Sequence, residues 1–272
     1  MKNRILFLLI FFVVSISFIG ETFSLQELEI NSTAKESRTT LSSEEKARIF
    51  QEAISSYKNQ EYELAEGYFQ ALISSGIKNG DLYFNIANAQ FRQGRLGLAI
   101  ANYLKALEFL PRDADLRHNL QFANKQTKDR IESSSWVALR SSLFFWFRSF
   151  NQKEWLWIFL SFNFICWLLG IGCLFYPNEG LKWSFIVTFC FMLLSGASVS
   201  AKSLFKDPQG VVLEPEISVY SGPSNTNTKL FLLHEGSRFR ISDQEGSWLR
   251  IVLTDGKEGW LNRKSVTKVE DL

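Results

Sequence analysis

Four rhythms of hydrophobic and polar residues follow one another along these 272 residues, and each predicts a different kind of element. From residue 44 to 128 apolar side chains return at the three-and-four spacing of helices buried along one side. Trp155 to Tyr176 is then 22 residues without a charge, and Trp183 to Ala201 is 19 more. At about 1.5 Å per residue these reach roughly 33 and 28 Å, close to the ~30 Å hydrocarbon core of a bilayer. A membrane hairpin over 154–202, with spans 155–176 and 183–201 and a loop from Pro177 to Lys182, is the prediction. Two buried helices of a soluble core are the competing reading. Trp155, Trp157, Tyr176 and Trp183 stand at the span ends, where amphipathic rings favour the headgroup layer. From 208 to 270 the pattern shortens to β-runs, VVLEPEISVY, KLFLLHEG, SRFRIS, WLRIVL and GWLNR, broken by SGPSN, DQEGS and TDGKEG. Five or six strands in about sixty residues predict a small all-β barrel. Asp255 and Gly256 mark a hairpin turn that needs positive φ.

The fourth rhythm opens the chain. Lys2 and Arg4 precede an unbroken apolar run from Ile5 to Ile19, the order of a secretory signal. Residues 1–24 are therefore a signal peptide or a retained N-terminal anchor, and 25–43, rich in Ser, Thr and Glu, a flexible linker. Within the connector 129–153, apolar residues fall at 136, 139, 143, 147 and 150 with Arg140 and Arg148 between them. This predicts an amphipathic helix at the membrane interface, or a helix packed under the helical segment.

The helical segment repeats itself. At a lag of 34, Ala53 meets Ala87, Tyr57 meets Phe91, Tyr62 meets Leu96, Ala65 meets Ala99, and Phe69 meets Tyr103, a period of helix-turn-helix arrays. The second copy resembles the tetratricopeptide repeat through Tyr83, Ile86, Ala87, Gly94, Ala99, Tyr103, Ala106 and Pro111. It departs at Gln90, where the family usually has an aromatic; the first copy has Gln60 for the turn glycine and Ile77 for the closing proline. Two repeats and a capping helix over 44–128 are expected. Asn85, Asn88 and Arg92 share one helix face, with Lys58 matching Arg92 in the first copy. They form either a groove for a peptide backbone or carboxylate, or a solvated polar face.

Charge and chemistry narrow the function classes. A net charge of +2 gives no electrostatic case for nucleic acid. Cys166, Cys173 and Cys190 all fall in the spans, so the soluble parts hold no disulfide, thiol nucleophile or cysteine metal site. Neither span carries an ionisable residue, which disfavours a proton or ion path. Asn163 is the one strongly polar residue there, with Thr188, Ser195, Ser198 and Ser200 as candidate partners. His118 and His234 lie in different predicted domains with no nucleophile beside them in sequence, so no catalytic residue, metal site or cofactor is assigned. Arg140, Arg148, Lys153, Lys202 and Lys206 flank the hairpin and argue for cytoplasmic soluble parts. The N-terminal segment argues for the periplasmic side, and as the first helix usually dominates, that side is expected.

The last segment resembles the bacterial SH3 domain over nearly all of 209–269. The likeness rests on Val219 to Pro223, on His234, Glu235 and Gly236, on Trp248, and on Gly259, Trp260 and Leu261. It departs at Tyr220, where many relatives are basic. Tyr220, Trp248 and Trp260 are the candidate ligand-facing aromatics, the two tryptophans also reading as core. The whole order is similar to the BatE proteins of bacterial aerotolerance operons. As no catalytic arrangement can be assembled, an interaction scaffold and not an enzyme is expected, and the resemblance implies a multi-pass protein of the bacterial cytoplasmic membrane. It further implies von Willebrand A domain membrane proteins as partners, an indirect link to a MoxR-type AAA+ ATPase, and a part in oxidative stress tolerance. An envelope module that binds peptidoglycan or peptides is the alternative.

Overall fold

The structure, a computed structural model, describes residues 41–129, 147, 149–176, 178–204 and 208–272. The N-terminal segment, most of the linker and most of the connector, Arg140 and Arg148 included, lie outside them. The described residues comprise seven helices, two apolar enough to cross a membrane, and a C-terminal antiparallel sheet.

Five helices come first: α1 (Ser43–Lys58), α2 (Tyr62–Ser74), α3 (Gly80–Arg92), α4 (Leu96–Phe109) and α5 (Ala114–Gln126). Each packs on its neighbour in sequence. Local chemistry sets their starts. Ser42 caps α1 in a reciprocal box with Glu45, while Asn79 and Asp113 accept from the backbone N–H of Leu82 and Leu116, satisfying otherwise orphaned donors. The turns between paired helices need a left-handed residue, supplied by Gly94 at φ 79° and, one period earlier, by Gln60 at φ 67°. Glutamine takes that conformation at a steric cost that glycine avoids. Fully buried alanines at 53, 65, 87, 99 and 106 let the backbones approach. Phe69, Leu72, Tyr83, Ile100 and Tyr103 fill the space between them. The capping helix expected to reach residue 128 ends at Gln126, because Thr127 turns to extended backbone at ψ 141°.

Seven strands follow: β1 (Gln209–Val212), β2 (Glu216–Tyr220), β3 (Lys229–His234), β4 (Arg238–Glu245), β5 (Trp248–Val252), β6 (Glu258–Asn262) and β7 (Val266–Lys268). They form one sheet in the order β3-β2-β6-β5-β4-β1-β7. Two boundaries differ from expectation. The run VVLEPEISVY is split around Pro215, which has no N–H to give a ladder. Strand β4 continues to Glu245 through residues read as a break, absorbing the irregularity in a register shift between Ile241 and Asp243. The short β7 brings the sheet to seven strands where five or six were expected. The Asp255-Gly256 turn is present, with Gly256 at φ 91°.

The predicted helical and β segments share a core. Val211 of β1 and Val269 belong to the same buried cluster as Ile100, Tyr103 and Leu116. Gly97 of α4 donates its N–H to Glu235 at 2.8 Å. A Cβ there would stand 2.4 Å from the Val212 carbonyl oxygen, so only glycine permits this approach. On the sheet side Gly236, at φ 83°, lies where a Cβ would meet Thr127 and Ile100. Residues on either side of the apolar helices thus make one compact unit.

The second unit contains α6 (Gln152–Phe175, 24 residues) and α7 (Glu179–Leu204, 26 residues), packed on one another. The loop predicted to run to Lys182 is shorter, since Glu179 to Lys182 form the first turn of α7, with Glu179 and Lys182 ion-paired at 2.5 Å. Only 22% and 28% of the two apolar windows are buried. The core helices of a soluble protein bury most of such a surface, whereas these turn it outward. Trp157, Tyr176 and Trp183 are 70%, 76% and 66% exposed. Asn163 is buried between the helices, but its amide meets the Met192 sulfur at 3.6 Å instead of a hydroxyl. Thr188, Ser195 and Ser198 bond to carbonyls of their own helix.

Candidate functional site

One face is built by α1, α3 and α5, the first helices of the successive 34-residue periods. Lys58 closes α1 and is exposed, Asn85 and Asn88 are half-buried, and Arg92 is exposed at the end of α3. These four predicted residues do not play equal parts. Asn88 is an internal brace: its Oδ1 accepts from the Tyr103 hydroxyl at 2.7 Å and from the Asn119 amide at 3.0 Å. Arg92 is exposed, and the neighbouring Tyr57 and Tyr62 favour its charged form. Asn85 has no side-chain hydrogen bond among the described residues, so its amide is available.

Three residues that sequence reasoning passed over complete this face. Tyr57 of α1 acts electrostatically on Arg92 of α3. Asn119 joins α5 to α3 through Asn88. Phe122 makes an edge contact with Phe91 at 5.7 Å and is still 51% exposed. The repeat contained the signal, because positions 51, 54 and 58 recur as 85, 88 and 92 and again as 119, 122 and 126. The face therefore reads Gln, Ile, Lys; Asn, Asn, Arg; Asn, Phe, Gln. It carries two cations, no acid and one protruding ring, a surface suited to an extended peptide with carboxylate or amide groups.

Behind it, a buried carboxylate holds the helices in register. Glu66 accepts from Gln70 and Gln90 at 3.0 and 2.8 Å on one oxygen, and from Gln93 and Arg95 at 2.8 and 2.9 Å on the other. Asn102 in turn donates to Gln90 at 2.9 Å. Gln90, the departure from the repeat pattern, is thus the link between α2, α3 and α4. An aromatic there would leave Glu66 short of a donor.

On the sheet, the three nominated aromatics come together. Tyr220 of β2 stands opposite Trp260 of β6 and packs edge-on against Trp248 of β5 at 5.7 Å. All three are half-buried at alternate positions facing away from the sheet's core, so Tyr220 is no more exposed in kind than the tryptophans. Arg250, opposite Trp260 and ion-paired with Glu258 at 3.1 Å, adds a guanidinium to this face.

His118 is an exposed helix residue. His234 differs from expectation, because the shared core brings an acid and a hydroxyl to it. Asp129 accepts from the His234 backbone N–H at 2.7 Å, from its Nδ1 at 2.8 Å, and from the Ser237 hydroxyl. Burial alone would raise the Asp129 carboxyl, but these three bonds outweigh it and hold the group below its ordinary range. The serine and histidine side chains both meet the carboxylate and are not bonded to each other, so they do not form a serine–histidine relay. The cluster is a structural clasp. No group of three or more metal-ligating side chains occurs among the described residues. The chain matches no protein-family model and no curated protein.

Proposed function

We propose that this chain is a non-enzymatic scaffold anchored in a bacterial cytoplasmic membrane. In this reading α1–α5 are two tetratricopeptide repeats with a capping helix, the sheet is a bacterial SH3 barrel, and α6–α7 form a transmembrane hairpin, as in BatE-type proteins. One observation carries it: the segments that flank the two apolar helices share a core. Residues in one core lie in one compartment, so the chain crosses the membrane an even number of times between residues 129 and 208. Two outward-facing apolar helices of spanning length satisfy that condition. With the N-terminal segment directing export, the shared unit lies on the periplasmic side.

The partner surface is the α1–α3–α5 face. Its partners are von Willebrand A domain membrane proteins of the same operon, with a MoxR-type ATPase linked through them and a role in oxidative stress tolerance. The test is pull-down of the full chain from detergent, comparing wild type with Asn85→Ala/Arg92→Glu, which spares the bracing Asn88. Loss of those partners with an unchanged melting temperature supports the reading; their full recovery overturns the assignment of the face. A second reading is favoured by the Tyr220, Trp248 and Trp260 cluster, which suits stacking against sugar rings or peptides. Sedimentation of the full chain with purified peptidoglycan, lost in Tyr220→Ala, separates it from the first.

A further inference from the structure

We propose that His234 is a proton-operated exchange point in the joint between helices and sheet, holding Lys128 when neutral and Glu216 when protonated. The ring ends β3 and is 15% exposed. Its Nδ1 is 2.8 Å from Asp129 Oδ1, and an ionised carboxylate is an acceptor only, so Nδ1 carries the hydrogen. In the neutral ring Nε2 is then a bare lone pair. The Lys128 ammonium stands 2.8 Å from it and donates.

Protonation removes that acceptor. Nε2 becomes an N–H donor on a cationic ring, facing an ammonium that has nothing to accept with. The same nitrogen lies 3.3 Å from Glu216 Oε2 on β2, an acceptor of opposite charge. The remaining groups near the ring are committed elsewhere: Ser237 donates to Asp129, and Glu235 accepts from Gly97. Each protonation state therefore has its own partner, and the two partners come from different elements. Lys128 belongs to the residues just after α5, from which the chain continues toward the first apolar helix, whereas Glu216 belongs to the sheet. Proton uptake moves the ring's second bond from the former to the latter and leaves the Lys128 ammonium free.

Nitrogen-15 NMR of imidazole-labelled full chain in detergent micelles tests this. The chain has two histidines, so His118→Gln leaves one ring to observe. The expected spectrum above the ring's titration is that of an Nδ1–H, Nε2-bare imidazole, with Nε2 gaining the proton on acidification. Lys128→Met removes a like charge and moves the midpoint up; Glu216→Gln removes an opposite charge and moves it down. The amide signals of Gly97 and Gly236 report in the same sample that the joint is closed. An Nε2–H tautomer in the alkaline form, or a midpoint that neither variant moves, overturns the proposal.

Discussion

Two helix glycines should respond to the same substitution with opposite signs. Gly67, in α2, has nothing within 4 Å of where a Cβ would be built. Gly67→Ala therefore keeps the propensity gain of alanine over glycine, about 1 kcal/mol. Gly97, in α4, would place its Cβ 2.4 Å from the Val212 carbonyl oxygen and 3.2 Å from Leu213 Cα. Real Cβ contacts do not fall below 3.0 Å, and both obstacles are backbone, so the sheet must retreat from the helix. The retreat costs about 1–3 kcal/mol of packing, as overfilling a core does. It also stretches the Gly97 N–H bond to Glu235, a charge-assisted contact of about 1.5–3 kcal/mol. Subtracting the propensity gain leaves Gly97→Ala less stable by about 2 kcal/mol or more. In a unit of this size that lowers the melting temperature by roughly 4–8 °C, while Gly67→Ala raises it by roughly 2–4 °C. Tryptophan fluorescence of the full chain during thermal unfolding in detergent reads both. Shifts of the same sign, or a Gly97→Ala protein as stable as wild type, would refute the close packing of α4 on β1.

Other contacts give further expectations. Glu66→Ala strands the buried donor of Gln90 and the half-buried one of Gln93 and should cost about 2–3 kcal/mol in the same melt; Arg95→Ala, at a half-exposed site, should cost under about 1 kcal/mol. Asp129 is held below its ordinary carboxyl range, so its contribution is complete above the unfolded value near 3.8 and lost as pH falls through the lower native value. Asp129→Asn should therefore be less stable than wild type at pH 7, by about 2 kcal/mol, with the gap narrowing below about pH 4 in a pH series of melts. Among the described residues Asn163 has only the Met192 sulfur as an interhelical partner. Asn163→Leu should shift hairpin stability by less than about 1 kcal/mol, measured by steric trapping in bicelles, and membrane fractionation should be unchanged.

The elements that were legible from sequence are those whose signal is local. The glycine turn at Gly94, the Asp255-Gly256 hairpin and the two apolar runs each depend on a few neighbouring residues. What the pattern missed depends on partners far along the chain. Gln90 read only as a departure from the repeat pattern and Glu66 gave no signal at all, and only the approach of α2, α3 and α4 turns them into a satisfied network. Gly97 looks like a weak spot in a helix until β1 is laid against it. The carboxylate that meets the His234 ring could not be named from sequence, because Asp129 is 105 residues away. The aromatic face of the sheet was half legible: Tyr220, Trp248 and Trp260 were nominated separately, and register alone brings them side by side. On the helices, Asn85 and Arg92 were nominated by spacing, but the bracing of Asn88 by Tyr103 and Asn119 required the fold.

Helices α1–α5 and the sheet form one compact unit although two long apolar helices interrupt them in sequence. Spin labels at Lys125 and Asp255, both exposed, measure this directly by double electron–electron resonance in nanodiscs, once Cys166, Cys173 and Cys190 are replaced by serine or alanine. A single narrow distance distribution, broadened in Gly97→Ala, is the predicted result. A broad distribution in the wild-type chain would contradict the shared core, and with it the inference that both flanking segments occupy one side of the membrane.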